Sequence, residues 1–152
     1  MKKTLNKLMK FCRPLARKGT KPEGFPLNSE DGIRAFEEVD DEEYNAVVDY
    51  CVWLAGSTPC ECANLYMRNL LRDSTLEHVT WNGLHGSLAL KGSRLVDAFE
   101  EAMNNNKKFG KVNRKDLADS VQRALHCAKE RLRKSRLATA LRNRGEETED
   151  ED

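Results

Sequence analysis

The side chains most able to do chemistry in this sequence are those of its five cysteines and three histidines. Thiolate and imidazole bind zinc, and a cysteine beside a histidine can act as a nucleophile. A C-x-C pair on one helix points its thiols to nearly opposite sides, and the usual zinc-site spacings are absent. A cysteine and a histidine can meet in space from distant positions, but no activating motif accompanies either type here. The residues concerned are Cys60, Cys62, Cys127, His78, His85 and His126.

These patterns predict buried or idle thiols and a protein that is not an enzyme. We therefore expect no catalytic residues, no metal site, no cofactor and no small-molecule substrate.

Lysine and arginine are concentrated in two segments of the chain. Residues 1–22 carry eight of them and no acid, and residues 107–144 carry thirteen against three acids. Cations at this density bind phosphate backbones through counterion release, without base selectivity. A solubilising surface is the alternative explanation. The predicted nucleic-acid-binding residues are Arg114, Lys115, Arg123, Lys129, Arg131, Arg133, Lys134 and Arg136.

A second candidate set surrounds the loop from Trp81 to Gly86. Its two glycines permit positive φ and close approach of the backbone to a phosphate. No Walker-type ending accompanies the loop, so a nucleotide site is not expected, and a tight structural loop beneath Trp81 is the favoured alternative. The candidate partner or phosphate contacts are Arg68, Arg72, Trp81, Gly83, Gly86, Lys91 and Arg94.

The segment that carries these residues has the pattern of several short helices. Asp40 and the acids after it favour a helix start, and Thr58-Pro59-Cys60-Glu61 has the form of a capping box. Ser74 and Ser93 are further candidate N-caps, and residues 104–106 should end the last helix. We expect an all-α fold, with a compact bundle of four or five short helices over residues 25–104. Three aromatic residues able to stack on bases are expected in its core; they are Tyr44, Trp53 and Trp81.

A long basic helix is predicted over residues 113–144, after a hinge at 107–112. Its apolar positions step by three or four, and they are Leu117, Val121, Leu125, Ala128 and Leu132. Their phase slips at Leu137 and Leu141, which argues against a long regular coiled coil and favours a helix that packs loosely or extends away. Gly145 should end the helix.

Both ends of the chain are predicted to lie outside the bundle. Residues 1–24 have the composition of a basic flexible arm, and residues 145–152 that of a disordered acidic tail.

The composition also restricts the class of protein. A chain of 152 residues with 39% hydrophobic residues can form one domain plus tails. No apolar run is long enough to span a bilayer, so no membrane contact is expected. The odd number of cysteines favours reduced thiols in an intracellular compartment, and the basic N-terminus favours the nucleus over a mitochondrial presequence.

Four sequence motifs follow one another between Phe25 and Met103. They are FPL at 25–27, VVDYCVWLAG at 47–56, LYMRNLLRD at 65–73 and TWNGLHG at 80–86. In this order they resemble a domain-of-unknown-function family known mainly from the C-terminal regions of arthropod proteins. Many of those proteins are transposon-associated or carry zinc fingers of the THAP type, and the family is faintly similar to BEN domains. In that family Lys and an aromatic residue usually follow the loop, whereas Ser87 and Leu88 follow it here, which weakens a phosphate-contact role.

Charge distribution and resemblance together predict a non-enzymatic nuclear adaptor or a nucleic-acid-associated module, which contacts DNA or RNA through its basic segments. The alternative is a protein-interaction domain that uses the bundle and the 113–144 helix without nucleic acid, through self-association or a partner's groove. The chain has no zinc finger of its own, so the resemblance implies that it acts alone or binds a full-length relative.

Overall fold

Helices form most of the chain between residues 20 and 149, which are the residues that the structure, a computed structural model, describes. Side chains are described as far as Gly145. The elements are α1 (Glu30–Phe36), α2 (Asp41–Leu54), α3 (Pro59–Leu70), a 3-10 turn (Asp73–Leu76), β1 (Val79–Thr80), a second 3-10 turn (Leu84–Gly86), β2 (Leu88–Ala89), α4 (Arg94–Asn104) and α5 (Arg114–Glu149). The predicted all-α class is confirmed. The structure also contains two strands of two residues each, which the prediction did not include and which pair in parallel.

The start of α3 shows how the sequence sets the helix ends. The Thr58 hydroxyl accepts a hydrogen bond from the Glu61 amide at 3.2 Å, and the Glu61 carboxylate accepts one from the Ser57 amide at 3.2 Å. This reciprocal arrangement satisfies amides that have no partner within the helix. Asp40 and Ser93 cap α2 and α4 with their side chains in the same way. The predicted starts of these three helices are therefore confirmed.

The core brings together side chains from all five helices. In α4 all six apolar residues are buried, and these are Leu95, Val96, Ala98, Phe99, Ala102 and Met103. Tyr66 of α3 packs on Phe99, with ring centroids 5.4 Å apart. The first half of α5 lies along α3 and adds Leu117, Val121, Ala124, Leu125 and Ala128 to the same core. Residues 25–104 and the start of the basic helix therefore share one hydrophobic interior.

The connection between α4 and α5 is held by asparagine side chains. The side-chain oxygen Oδ1 of Asn104 accepts a hydrogen bond from the Val112 amide at 2.9 Å. The Oδ1 of Asn106 accepts one from the Lys108 amide at 2.8 Å. The buried Asn106 amide group also donates to the Gly56 carbonyl at 2.9 Å. The prediction of a hinge at 107–112 is wrong, because two backbone amides of this segment are bonded to asparagine side chains of the domain.

The second half of α5 leaves the core. Leu132 is half-buried, whereas Leu137 and Leu141 are 54% and 59% exposed, as the slip in phase predicts. The helix continues past Gly145 to Glu149, so the predicted stop at Gly145 is wrong. A helical glycine costs only about 1 kcal/mol, which a long helix tolerates. Residues 1–19 and 150–152, which include most of the predicted arm and the last acids of the tail, lie outside the described residues.

Two predictions about the middle of the chain need correction. The segment after Ser74 forms a 3-10 turn followed by β1, rather than a short helix. Trp53 is 51% exposed instead of buried, because it lies about 200° around α2 from the buried Cys51. Tyr44 and Trp81 are partly buried and pack against the core.

Candidate nucleic-acid interface

Two of the predicted phosphate contacts on α5 are bound to carboxylates of the same chain. Arg131 donates through Nε and Nη2 to the Asp73 carboxylate at 3.2 and 3.1 Å. Arg136 donates through Nη1 and Nη2 to the Glu77 carboxylate at 2.7 and 2.9 Å. Both carboxylates lie in or directly after the first 3-10 turn. The two bidentate pairs therefore attach α5 to that turn, beyond the last fully buried side chain of the helix, Ala128.

The pKa values at these pairs follow from the hydrogen bonds. The bond from Arg136 lowers the pKa of Glu77, and the same bond raises the pKa of Arg136. Within the helix, Arg133 lies 3.1 Å from the Glu130 carboxylate and lowers its pKa. A phosphate must displace a carboxylate to bind any of these guanidinium groups, so they are less available than the sequence suggests.

Other predicted contacts on α5 remain accessible. Lys115 and Lys134 are exposed and Lys129 is half-buried, and none of them forms an ion pair with a side chain between residues 20 and 145. Arg114 is exposed near Asp97, and the guanidinium of Arg123 lies 4.0 Å from the Cys60 sulfur.

These accessible cations do not share one face of α5. Arg123 and Lys134 are about three helical turns apart on one side, roughly 16 Å along the axis. Lys115 and Lys129 lie on an adjacent side, by the same 3.6-residue period. The arrangement favours contact with a flexible or wrapping polyanion over a single flat groove.

The second predicted set separates into accessible and internal residues. Arg68, Arg72 and Lys91 are exposed, and in the part of the chain that the structure describes they have no carboxylate partner. Arg68 lies in the last turn of α3 and Arg72 immediately before the first 3-10 turn. Both arginines therefore precede the turn that receives Arg131 and Arg136, and Arg72 adjoins it directly.

Arg94, by contrast, is used inside the domain. Its guanidinium lies 4.9 Å from the centre of the Tyr44 ring, donates to the Val39 carbonyl and lies 3.4 Å from the Asp41 carboxylate. Its backbone amide donates to the Glu37 carboxylate at 2.9 Å. The residue therefore joins the start of α4 to the start of α2, and the structure does not place it with the other predicted contacts.

The loop after Trp81 is satisfied by its own neighbours. The Thr80 hydroxyl accepts from the amides of Gly83 and Leu84 at 2.9 and 3.0 Å, and it lies 2.8 Å from the Ser87 hydroxyl. Gly83 has φ of +74°, and a Cβ there would lie 3.0 Å from that of Ala89. These bonds occupy two of the amides that a phosphate would need. These contacts favour a structural role for the loop over a phosphate contact, as the sequence does.

The thiols and imidazoles are dispersed. Cys51 and Cys62 are fully buried, and all three histidines are exposed. Burial raises the pKa of the Cys51 thiol, and burial near Cys62 raises that of the Tyr66 hydroxyl. Across residues 20–149, no group of three or more His, Cys, Asp or Glu side chains is placed to hold a metal ion.

No family model, curated protein or solved structure matches this chain. The resemblance carried by the four sequence motifs therefore stays a prediction. Within the described residues, no helix is both long enough and apolar enough to cross a membrane.

Sequence reasoning missed the two ion pairs that attach α5 to the first 3-10 turn, and it missed the exposure of Trp53. Asp73 and Glu77 each lie nearly sixty positions before their arginine partners, at separations of 58 and 59 residues. Charge counts along the chain show that both signs are present, but they do not show which residues meet. The exposure of Trp53 could have been predicted from the sequence, because helix geometry places Trp53 on the opposite side of α2 from Cys51.

Proposed function

We propose that this chain is a non-enzymatic, nucleic-acid-associated module of the nucleus whose contact surface is formed by the basic residues around α5. One observation carries the proposal: from Arg131 to Gly145 the helix has six Lys or Arg and no acid, and its end extends past the core. About thirteen helical residues follow Arg136, which corresponds to roughly 20 Å of helix. Of these residues, Arg142 and Arg144 are cations and Glu146, Glu147 and Glu149 are acids, so the cationic part of the helix is the stretch from Arg131 to Gly145. A cationic stretch of this kind suits the phosphate backbone, and it supplies affinity without base selectivity.

The accessible lysines decide how strongly the surface binds. Lys115, Lys129 and Lys134 pair with no carboxylate among the side chains of residues 20–145, so they neutralise phosphate at the lowest cost. Arg68 and Arg72 add cations from the domain, next to the point where α5 is attached. Arg131 and Arg136 mainly hold the helix in place and would contribute to phosphate contact only after exchange of partners.

Salt-dependent binding to a short labelled DNA duplex tests this proposal. The combined variant Lys115→Gln, Lys129→Gln and Lys134→Gln should weaken binding, and the slope of log K against log salt should fall by about 0.9 for each phosphate that the protein no longer neutralises. Arg34→Gln is the matched control, since Arg34 is exposed but pairs with Glu30 and Asp31 in the acidic part of the chain. An unchanged slope in the triple variant would overturn the proposal.

Deletion of 137–152 is the companion experiment. It removes the projecting end of α5 and keeps every buried residue of the core. Deletion from Gly110, which the predicted hinge suggested, would instead remove Val112, Leu117 and Val121 from the interior and is expected to unfold the domain. The deletion removes Arg142 and Arg144 together with six acids, and the loss of the acids alone would strengthen binding to a polyanion. Weaker binding by a folded chain that lacks 137–152 therefore supports a contact through the two arginines, and stronger binding contradicts it.

A protein partner is the second candidate, and the exposed leucines favour it. Leu137 and Leu141 are one turn apart on the projecting part of α5 and form a small apolar stripe. A partner's groove or a second copy of the helix could cover that stripe. Under this alternative, Leu137→Ser with Leu141→Ser abolishes an association seen by light scattering, while binding to nucleic acid is absent at every salt concentration.

A further inference from the structure

A groove of about 1430 Å³ lies between residues 20–27, α1 and α2, on the acidic part of the chain. Its apolar lining includes Phe25, Phe36, Val39, Tyr50, Val52 and Trp53. Trp53 is 51% and Val52 37% exposed, and the Trp53 ring stacks on that of Tyr50 at 6.0 Å. Large exposed side chains that adjoin in this way are typical of a surface that another segment covers.

Carboxylates surround this apolar floor. The acidic residues of the lining are Glu23, Asp40, Glu42, Glu43 and Asp49. Glu23, Glu42 and Glu43 form no ion pair with any residue from 20 to 149. The occupant that fits such a groove carries apolar side chains for the floor and cations for the rim.

Residues 1–19 of the same chain have that composition. They contain seven Lys or Arg and no acid, and their apolar residues Leu5, Leu8, Met9 and Cys12 are spaced as on one face of a helix. They lead directly into Thr20, which lines the groove. A ligand joined by a short tether reaches an effective concentration of about the millimolar range, so weak contacts are sufficient to hold it.

We propose that this groove binds the basic segment 1–19 of the same chain. The lysines of the segment face the rim carboxylates, and its leucines cover Trp53. The docked segment is then withdrawn from contact with a polyanion, which leaves α5 as the main cationic surface. This docking does not depend on nucleic-acid binding, and its test contains no nucleic acid.

The test measures acrylamide quenching of Trp53 in the full chain, with Trp81→Phe so that a single indole reports. Leu5→Ser with Leu8→Ser removes the apolar anchors and should raise the quenching constant roughly twofold or more, since the indole loses its cover. Glu42→Lys with Glu43→Lys should give the same rise from the groove side. Leu137→Ser with Leu141→Ser alters two exposed leucines elsewhere and should leave quenching unchanged.

Three outcomes overturn the proposal. Quenching that does not change in the first two variants shows that the segment does not cover Trp53. Quenching that rises equally in the control shows a general loss of structure. Protection that disappears on dilution shows that a second copy is the occupant. If the Trp81→Phe variant does not fold, hydrogen exchange of the α2 amides replaces quenching, with both tryptophans kept. Faster exchange in Leu5→Ser with Leu8→Ser than in the unaltered chain then supports the docking, and equal exchange overturns it.

Discussion

Arg136 and Glu77 form two parallel hydrogen bonds, with Nη1 to Oε1 at 2.7 Å and Nη2 to Oε2 at 2.9 Å. Their side chains are 57% and 39% exposed, so water and salt screen the pair. Its significance is positional, because it connects the helix to the residue after the 3-10 turn at a point about two helical turns beyond the buried Ala128. The pair therefore marks the boundary between the part of α5 that belongs to the domain and the part that projects.

Loss of this pair should loosen the helix beyond it. In Glu77→Gln, amides of residues 131–145 are expected to exchange faster, as measured by hydrogen exchange corrected for intrinsic rates. Because the pKa of Glu77 is lowered in the folded chain, the pair contributes above the ordinary carboxyl pKa and is lost as pH falls through the lowered value. The parent should therefore lose protection in acid, and the variant should show no such step.

Glu130→Gln is the control for that experiment, since it removes only the local pair with Arg133 within the helix. Equal loss of protection in both variants would contradict an attachment through Glu77.

Gly56 is expected to be intolerant of a side chain. A Cβ at this position would lie 2.8 Å from the backbone nitrogen and 2.9 Å from the sulfur of Cys62. Overpacking of this kind costs about 1–3 kcal/mol, so Gly56→Ala should lower the free energy of unfolding by that amount in chemical denaturation. Gly145→Ala is the comparison, because no atom lies within 4 Å and helical propensity favours alanine. A neutral result for Gly56→Ala would show that α2 and α3 can move apart.

Local patterns predicted the helices because their physical causes are local. The caps at Asp40, Thr58 and Ser93 need only neighbouring residues, and the buried face of α4 follows from its period. The end of α2 depends in addition on a close approach from α3. Ala55, with φ of +40°, makes the turn, and Gly56 permits the approach of Cys62.

Features that depend on specific side-chain partners were not predicted. The basic composition of α5 predicted a cationic surface, yet three of the eight predicted nucleic-acid-binding residues pair with carboxylates of the chain; they are Arg131, Arg133 and Arg136. The hinge was predicted from composition, whereas Asn104 and Asn106 bind its backbone. In each case a polar side chain has a specific partner that composition does not reveal.

Thr80 should be required for the loop that contains Gly83. Thr80→Val keeps the shape of the side chain but removes the acceptor for two loop amides and the partner of Ser87. Polar groups left without partners cost about 1–3 kcal/mol when water does not replace the bond, so unfolding should require less denaturant. Thr139→Val removes an exposed bond to the Ser135 carbonyl and should change stability by less than about 0.5 kcal/mol. Equal effects of the two variants would argue against a structural role for the Thr80 hydroxyl.

The thiols should divide into two reactive and two protected groups. Cys127 is exposed and Cys60 half-exposed, whereas Cys51 and Cys62 are fully buried. The experiment uses a Cys12→Ser variant, so that only these four thiols are counted. The thiolate is the reactive form, and burial raises the pKa of Cys51, so at neutral pH this group is both inaccessible and protonated. Ellman's reagent should therefore label Cys60 and Cys127 in the folded chain, and Cys51 and Cys62 only after denaturation. Cys127→Ser should remove one of the two fast equivalents. Rapid labelling of all four thiols would contradict the packing of α2 against α3.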